Sequence, residues 1–370
     1  MNEKVDYLII GQGLAGSILA HTLLEKEKKV LVLDQPSLQH CSKVAAGICN
    51  PITGRNLVRT WKSKELFSFL NHFYPKLEQK FNQKFFFNIP VYRPFQNLEQ
   101  QQDWSAHEDK VNEEVIYPKH RFLGQSVNDD FGGLLIKNGG YLRTDIFLET
   151  IKNYLIDKNA YQEELFDFDK LNTENNKISY KDIEARHIIF CRGAADKVNP
   201  FFEKLPLAPA KGEILHIELE NSNQELVEKL NQIILNKGCW LVPFQNKENY
   251  LKDKVGKTST TLFRTGSNYD HKDLTLKPTE KAKQQIETKL KSVLSLDYQI
   301  KKQEVGIRPA TRTRKPLIGT HNTLKQIHIF NGFGAKGSSM IPYFAHQFVE
   351  YLLNHGELER EVRIDKWFLK

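Results

Sequence analysis

The sequence of 370 residues has few cysteines and no long apolar run, and each shortage excludes a class of protein. Its four cysteines are Cys41, Cys49, Cys191 and Cys239. They are scattered and form no Cys-x-x-Cys pair, so they predict neither a metal site nor a disulfide framework and fit a reducing, cytoplasmic environment. No stretch approaches the roughly 18 consecutive apolar residues that a membrane helix requires. The apolar residues 7–10 run into glycines rather than a cleavage site, so we expect no signal peptide.

Composition and charge narrow the remaining classes. Hydrophobic residues make up 40% of the chain, which excludes wholesale disorder, and the length predicts two domains. Lysine and arginine (53) exceed aspartate and glutamate (45), which leaves a formal net charge of +8. A basic surface fits a nucleic acid or an acidic ligand, but an ordinary lysine-rich solvated surface explains the same charge and is our preferred interpretation. No tandem repeat or low-complexity tract is present.

The first forty residues carry the clearest motif. Residues 5–10 predict a buried strand, 17–27 a helix and 29–33 a second strand, with Gly11-Gln12-Gly13-Leu14-Ala15-Gly16 at the first turn. In this Gly-x-Gly-x-x-Gly motif Gly11 permits a tight turn, Gly13 lets the backbone approach a pyrophosphate, and Gly16 allows close helix–strand packing. Asp34, 23 residues after Gly11, is placed to accept hydrogen bonds from an adenosine ribose and would repel a 2′-phosphate. The motif predicts FAD or NAD, against the alternative of a glycine turn without a ligand.

The rest of the chain predicts a discontinuous architecture. Helical patterns cover 64–80, 144–155, 279–296 and 341–354, and buried strands cover 185–191, 213–218, 240–243 and 327–330. A strand, a glycine turn and a helix recur at both ends of the chain, with β-rich material between them. We therefore expect an α/β fold in which a discontinuous Rossmann-like FAD-binding domain (1–85, 138–205 and 305–370) carries an inserted β-rich α+β substrate domain (86–137 and 206–304). This arrangement favours a flavoprotein over a simple NAD dehydrogenase.

Further motifs carry a family resemblance across nearly the whole chain. They are Cys41-Ser42-Lys43-Val44-Ala45-Ala46-Gly47, Phe190-Cys191-Arg192-Gly193-Ala194, Gly306-Ile307-Arg308-Pro309, Pro316-Leu317-Ile318-Gly319 and the Gly-rich loop 331–337. Together with the N-terminal motif, they resemble the D-amino-acid oxidase/glycine oxidase family of FAD-dependent oxidoreductases. The glycine motif and the resemblance imply cofactor-binding residues Gly11, Gly13, Leu14, Ala15, Gly16, Asp34, Ser42, Ala45, Ala46, Gly47, Cys191, Gly193, Gly332, Gly334, Ala335, Lys336, Gly337 and Ser338.

The resemblance also implies the reaction and its residues. In the family, the Arg of Gly-x-Arg-Pro binds a substrate carboxylate, so Arg308 is the expected clamp, against the alternative of an interior ion pair with Asp or Glu. A hydride then passes to the flavin from the C–H next to an amine nitrogen, and O2 reoxidises the flavin. Backbone N–H groups around Gly334, Lys336 and Gly337, and the Lys336 ammonium, would stabilise negative charge on the reduced ring; a solvated lysine is the alternative.

Two further residues are weaker candidates. Trp240 stands where relatives place an aromatic residue over the substrate, against the alternative of a half-buried strand Trp. Arg264 falls where some related amine oxidases carry a lysine for oxygen activation, against the preferred alternative of a surface strand Arg. Val44 precedes Ala-Ala-Gly and no cysteine is expected near Arg308, so we predict non-covalent FAD.

The loop 48–55, in which Arg55 is placed to contact an anionic group, departs from glycine oxidase. It resembles more the oxidase domain of the bifunctional tRNA wobble-uridine modification protein, which acts on a carboxymethylamino group. We rank an oxidase of small carboxylate-bearing amines first, a tRNA-directed oxidase second and a flavin dehydrogenase with a non-oxygen acceptor third. A non-catalytic FAD-binding protein is a fourth possibility, which Arg308 disfavours.

Overall fold

The computed structural model describes residues 3–35, 41–53, 58–105, 115–116, 121–174, 177–220, 224–245 and 261–368. The helices of this part of the chain are α1 (Leu14–Leu24), α2 (Cys41–Val44), α3 (Ser63–Phe81), α4 (Leu98–Ser105), α5 (Thr144–Asp157), α6 (Gln224–Asn231), α7 (Glu280–Lys291) and α8 (Gly337–Leu352). Its strands are β1 (Glu3–Ile10), β2 (Val30–Asp34), β3 (Ile48–Cys49), β4 (Ile52–Thr53), β5 (Val58–Arg59), β6 (Phe86–Phe87), β7 (Val91–Pro94), β8 (Val115–Ile116), β9 (Gly133–Ile136), β10 (Gly140–Leu142), β11 (Tyr161–Glu163), β12 (Leu171–Asn172), β13 (Ile178–Tyr180), β14 (Ile183–Phe190), β15 (Ala210–Leu219), β16 (Ile234–Lys237), β17 (Cys239–Pro243), β18 (Leu262–Gly266), β19 (Tyr298–Arg308), β20 (Leu317–Thr320) and β21 (Ile327–Asn331).

The first large sheet is built around parallel strands from both ends of the chain. Its order is β11-β2-β1-β14-β13-β12, and β21 joins on β14 with β20 beside it. Strand β1 pairs in parallel with β2 and with β14, and β14 pairs in parallel with β21. Strands buried on both faces are continuous apolar runs, which explains why β1 and β2 could be predicted without an alternating pattern. The carboxyl ends of these parallel strands meet at one edge.

Both faces of this sheet are covered. Ile9 and Val32 pack in one apolar cluster with side chains of α1, α3, α5 and α8, whereas Leu8 and Leu31 pack on the opposite side with Phe166 and others. The alternation follows from strand geometry, because successive side chains point to opposite faces. Helix α3 is amphipathic, with Leu66, Leu70 and Leu77 on its buried face. Close contacts of α1 with α8 and with α5 hold the first helix against the sheet.

The second large sheet has the order β19-β15-β18-β17-β16-β7-β9-β8 and is mostly antiparallel. Helix α7 packs on it through Ala282, Ile286 and Leu290, which recur every four residues on one face. The Thr279 hydroxyl accepts a hydrogen bond from the Ala282 N–H (3.2 Å) and caps the start of this helix. Two smaller sheets, β3-β10-β6 and β4-β5, lie outside the two large ones.

Several predicted boundaries are corrected. The first helix begins at Leu14 directly behind the glycine turn rather than at residue 17, since Gly13 is its N-cap. The last long helix likewise begins at Gly337 rather than at 341. Helix α7 ends at Lys291 rather than 296, where Val293 and Leu294 bond back to the Leu290 carbonyl. Strand β19 crosses the predicted boundary at 304/305; the division into domains itself stays a prediction. None of the described helices is long and apolar enough to span a bilayer.

Candidate functional site

A cavity of about 580 Å³ lies at the carboxyl ends of the parallel strands. It extends from the ends of β1 and β2 to strands of the second sheet, where Gly212 of β15, Trp240 of β17 and Arg308 of β19 line it. Clefts at the carboxyl edge of a parallel sheet are the usual ligand sites of such folds. Each wall of the cavity is described below before its function is considered.

The glycine turn forms one end of the cavity. Gly11 has φ of +104°, in a region that side-chain-bearing residues rarely adopt, and its N–H donates to the Leu33 carbonyl (2.8 Å). A Cβ on Gly16 would lie 1.8 Å from the Gly11 carbonyl oxygen, so a glycine there lets α1 pack against the turn. The helix has no acidic residue in its first turn and no side-chain cap at Gly13. Apart from the Leu14 N–H, which donates to the Ser42 hydroxyl, its N-terminal N–H groups therefore offer a site for an anion.

Asp34, the last residue of β2, is buried at the same end. Its Oδ1 accepts a hydrogen bond from the Gln12 N–H (2.9 Å), which ties the carboxylate to the glycine turn. The neighbouring lining includes the apolar Leu33, Leu165 and Phe166 beside the polar Gln35 and Glu164. A carboxylate beside apolar side chains is what a ribose and its adenine require.

Short helix α2 and the residues after it cross the middle of the cavity. The Ser42 hydroxyl accepts a hydrogen bond from the Leu14 N–H (3.1 Å), which joins this segment to the start of α1. The Ala45 carbonyl accepts from the Thr144 hydroxyl (3.1 Å) and from Arg264 Nη1 (3.4 Å). These bonds hold the Ala-Ala-Gly segment from behind while its other side lines the cavity.

The Gly-rich loop before α8 forms the opposite end. Helix α8 has no acidic residue in its first turn and no side-chain cap, and Gly337, Ser338 and Ser339 line the cavity. The Lys336 ammonium donates to the Thr53 hydroxyl (3.3 Å), and burial lowers the pKa of this lysine. The N–H of Gly334 already donates to Pro309 O (3.1 Å) and that of Lys336 to Phe333 O (3.1 Å). Two of the three backbone donors expected around this loop are therefore engaged within the protein, which corrects that expectation.

Arg308 stands at the end of β19 and lines the same cavity. Its guanidinium donates to neutral acceptors: Ser267 Oγ (2.6 Å), Asn268 O (3.3 Å) and Lys211 O (3.4 Å). Burial lowers its pKa, and within the described residues the neighbouring groups that act on its charge are Tyr269 and Cys41, not a carboxylate. Among the residues that the structure describes, Arg308 forms no interior ion pair, so that alternative interpretation is not supported. A positioned guanidinium with a neutral surround is suited to bind an incoming carboxylate.

Gly212 makes room for this guanidinium. A Cβ on Gly212 would lie 2.1 to 2.3 Å from the guanidinium atoms of Arg308, because the two residues lie on adjacent strands. Gly212, Ser267 and Asn268 were not predicted from the sequence. They lie far from Arg308 along the chain, and the signal that would find them is the pairing of β15 with β18 and β19, which no local pattern shows.

Trp240 also lines the cavity and is half-buried. It pairs across the sheet with Gly266 on one side and with Asn236 on the other, and Asn236 is a further lining residue that sequence reasoning missed. The structure thus brings Trp240 and Arg308 to one cavity. Tyr269, exposed at the surface, lies with its ring centroid 4.8 Å from the Arg308 Cζ.

Arg264 lies neither in the lining of the cavity nor at the protein surface, the two positions that the sequence suggested. It is 5% exposed, so the surface interpretation is wrong, and it is not among the residues that line the cavity. Its Cζ lies 3.9 Å from the ring centroid of Phe244, and burial lowers its pKa to about 10. Its link to the cavity is the hydrogen bond from Nη1 to the carbonyl of Ala45, which is a lining residue. Arg264 is placed as a support of the lining segment rather than as a group that touches a ligand.

The other predicted site residues sort clearly. Those that line the cavity are Gly11, Gly13, Leu14, Ala15, Asp34, Ser42, Ala45, Ala46, Gly47, Cys191, Gly193, Gly334, Ala335, Lys336, Gly337, Ser338, Trp240 and Arg308. Gly16 and Gly332 lie behind the lining; a Cβ on Gly332 would meet Thr311 at 2.8 Å. Arg55 falls outside the described residues.

The expectation that no cysteine lies near Arg308 is wrong. Cys41 lines the cavity, and a Cβ on Gly306 would lie 3.1 Å from its Cα and 3.2 Å from its Cβ. The cause is the packing of α2 against β19, two segments remote in sequence. Burial raises the pKa of the Cys41 thiol and raises that of Cys191 strongly, so both thiols are held protonated.

Together these walls define a dinucleotide-binding fold whose cavity extends to Arg308. The glycine turn with its open helix N-terminus, the buried Asp34 and a cavity long enough to run on to Arg308 fit a flavin dinucleotide. The chain belongs to the DAO family of FAD-dependent oxidoreductases, whose model matches residues 6–351. It is therefore an FAD-dependent enzyme, as predicted.

Solved structures of this family share the fold. The chain is similar to iminodiacetate oxidase from Chelativorans sp. BNC1 (TM-score 0.76, 15% identity, 98% of each chain covered). It is also similar to glycine oxidase from Geobacillus kaustophilus (TM-score 0.74, 15% identity, 96% of each chain) and to L-proline dehydrogenase from P. horikoshii (TM-score 0.71, 14% identity, 96% of this chain and 95% of that one). These matches confirm the predicted fold class.

Proposed function

We propose that this enzyme oxidises a C–N bond of a small amine that carries a carboxylate, an amino acid or an N-substituted glycine. The observation that carries the proposal is the Arg308 guanidinium, which lines the cavity and is held by neutral acceptors. A cation desolvated in this way gains most from an anionic ligand. The structural neighbours include enzymes named as oxidases of glycine and of iminodiacetate, which agrees with this substrate class.

Different residues would bind the cofactor, orient the substrate and position the cavity lining. The N-terminus of α1, Ser42 and Asp34 would hold the dinucleotide, and the N-terminus of α8 with Lys336 would face its other end. When bound, FAD accepts the hydride equivalent from the carbon next to the amine nitrogen. Arg308 orients the substrate through its carboxylate, and Trp240 closes the space over it. Arg264 acts through the Ala45 carbonyl as a positioning residue. We propose O2 as the electron acceptor.

We propose further that FAD is held without a covalent bond. Attachment through sulfur requires a thiolate, and burial raises the pKa of both cysteines that line the cavity. Denatured enzyme should therefore release its flavin into the supernatant. Flavin absorbance that stays with precipitated protein would contradict this.

The direct test of the reaction is anaerobic reduction. The purified enzyme should be yellow, and its flavin absorbance should bleach on addition of one or more of glycine, sarcosine, D-amino acids and proline. Bleaching does not depend on the acceptor, so readmission of O2 then separates an oxidase from a dehydrogenase that needs another acceptor. Bleaching by amines that lack a carboxylate, and by none that carry one, would refute the proposed substrate class.

A second candidate is an oxidase that acts on a carboxymethylamino group of tRNA. The observation in its favour is the turn after β19, where Arg312 and Arg314 are exposed and the Arg314 charge acts on Lys336 of the cavity. Lys315 is half-buried beside them, with its Nζ 3.4 Å from the ring centroid of Trp61. These cations would contact phosphates of a tRNA bound with its modified base in the site.

This second candidate makes a quantitative prediction. Three phosphate contacts, from Arg312, Arg314 and Lys315, would weaken tRNA binding about 20- to 40-fold between 50 and 200 mM salt. Filter binding of unmodified and carboxymethylaminomethyl-modified tRNA measures it, with the Arg312→Glu/Arg314→Glu variant as the comparison. Binding that is absent, or indifferent to both salt and the variant, would remove this candidate and leave the first.

A further inference from the structure

One wall of the cavity holds polar residues of which the proposed function uses only Lys336, at one end of the dinucleotide. This polar wall consists of Asn50, Thr53 and Lys336, all of which line the cavity. Lys336 Nζ donates to Thr53 Oγ1 (3.3 Å), Thr53 Oγ1 lies 3.1 Å from Thr60 Oγ1, and the Thr60 hydroxyl donates to Asn50 O (3.0 Å). Since the Thr60 proton is engaged with Asn50, Thr53 must donate to Thr60. The chain of bonds therefore runs in one direction, from the ammonium to Asn50, and fixes the wall.

The side chain of Asn50 is oriented but incompletely bonded. Its Oδ1 accepts from the Ile52 N–H (3.0 Å), and a backbone N–H can only donate, so the amide oxygen must face Ile52. The Nδ2 then points elsewhere; it is buried and has no hydrogen-bond partner within the described part of the chain. An unpaired buried donor is unfavourable, because it has lost its hydrogen bonds to water and gained none within the protein. Asn50 lines the cavity, but this nitrogen has almost no accessible surface, so a ligand oxygen would satisfy it only after a small shift of the wall.

The charge of the polar wall selects the kind of ligand. An amide nitrogen and an ammonium are both donors with no acceptor capacity, so the group that they bind is an oxygen acceptor. In the described residues, the charge that acts on Lys336 is the cation of Arg314 and not a carboxylate. A flavin ring carbonyl would supply an acceptor but leave this partly buried ammonium uncompensated, whereas an anionic group would neutralise it.

The polar wall is connected to the segment that carries Arg308 through a backbone hydrogen bond. The Gly334 N–H donates to Pro309 O (3.1 Å), which places the loop carrying Lys336 beside the residue that follows Arg308. We propose that the polar wall is a second anion subsite and that the substrate is an amine with two acidic ends, one held by Arg308 and the other by Asn50 and Lys336. This inference rests on the proposed function, because it assumes that Arg308 binds the first carboxylate.

The test uses the FAD-loaded enzyme and two unreactive ligands. Methylthioacetate carries one carboxylate and thiodiacetate carries two, and both have sulfur where a substrate has nitrogen. Isothermal titration should show that the wild-type enzyme binds thiodiacetate at least tenfold more tightly. Asn50→Asp preserves the acceptor for Ile52 but replaces the donor with a negative charge, so it should abolish that preference and change methylthioacetate binding by less than about threefold. Lys336→Gln should give the same loss of preference; because Lys336 also faces the cofactor, its FAD content and flavin spectrum are measured on the same sample.

The control is Asn97→Asp. Asn97 is exposed and does not line the cavity, and its Oδ1 accepts from the Gln100 N–H (2.9 Å), so the same substitution keeps a similar backbone bond at an unrelated place. It should leave both affinities unchanged.

The outcomes separate the two proposals. If the wild-type enzyme binds neither acid, the proposed function fails and this inference fails with it. If it binds methylthioacetate and gains nothing from the second carboxylate, only the inference is refuted. If Asn50→Asp releases FAD or shifts its spectrum and weakens both acids alike, the donor serves the cofactor, and the second anion subsite is equally refuted.

Discussion

Replacing Arg308 by Met should raise the KM for a carboxylate-bearing amine by about 30-fold or more while FAD stays bound. The guanidinium is fixed by Ser267 and by the Lys211 and Asn268 carbonyls, so it is ready for a carboxylate before substrate arrives. Removal of one partner of a desolvated charge pair costs about 2–5 kcal/mol, which corresponds to roughly 30- to 4,000-fold. Steady-state kinetics with the best amine of the anaerobic panel, beside the flavin spectrum of the same sample, measures both parts of the prediction.

Arg308→Lys sharpens the test. Lysine keeps the charge but lacks the planar fork that holds a carboxylate through two parallel bonds, so it should recover only part of the loss. Arg312→Met is the matched control, because Arg312 is exposed and four residues away in the chain. A second measurement compares the substrate with the same amine lacking its carboxylate; Arg308→Met should erase the enzyme's preference between them. An unchanged KM in Arg308→Met would disprove the carboxylate clamp.

Local patterns sufficed where one segment performs one role. The strand, glycine turn, helix and following strand that end at Asp34 are consecutive, so their spacing alone predicted the dinucleotide end of the cavity. The burial of Asp34 and its bond with the Gln12 N–H agree with that expectation. The first helix nevertheless begins three residues earlier than predicted, because a glycine N-cap carries no side-chain signal.

The substrate end could not be predicted in the same way, because its walls are assembled from distant strands. Gly212 and Ser267 reach Arg308 only through the pairing of β15 with β18 and β19. Cys41 reaches the same place through the contact of α2 with β19. The alternation of side chains along β18 would predict that Arg264 lies on the same face of the sheet as Gly266. It would not predict that the segment containing Ala45 covers Arg264. Residues that meet across a sheet cannot be identified from the residue spacing in a single sequence.

Two glycines of the N-terminal motif should fail in different ways when each is replaced by alanine. A Cβ on Gly16 would lie 1.8 Å from the Gly11 carbonyl oxygen, so Gly16→Ala must push α1 off the turn. Overpacking of this kind costs about 3 kcal/mol. A Cβ on Gly13 would meet only the Ser42 hydroxyl at 3.2 Å, and its φ of −72° suits alanine, so Gly13→Ala should fold normally. Thermal unfolding of FAD-free protein should show a large fall in Tm for Gly16→Ala and little change for Gly13→Ala.

FAD titration completes the comparison. Gly13 is the position where a pyrophosphate would approach the backbone at the N-terminus of α1, so its methyl group should weaken FAD binding at least tenfold although the fold is intact. Loss of affinity without loss of stability in Gly13→Ala assigns this turn to the cofactor. Loss of stability in Gly16→Ala assigns the third glycine to packing, with any loss of FAD as a consequence. If Gly13→Ala bound FAD as tightly as the wild-type protein, the pyrophosphate would lie elsewhere in the cavity, and the N-terminus of α8 would be the next place to test.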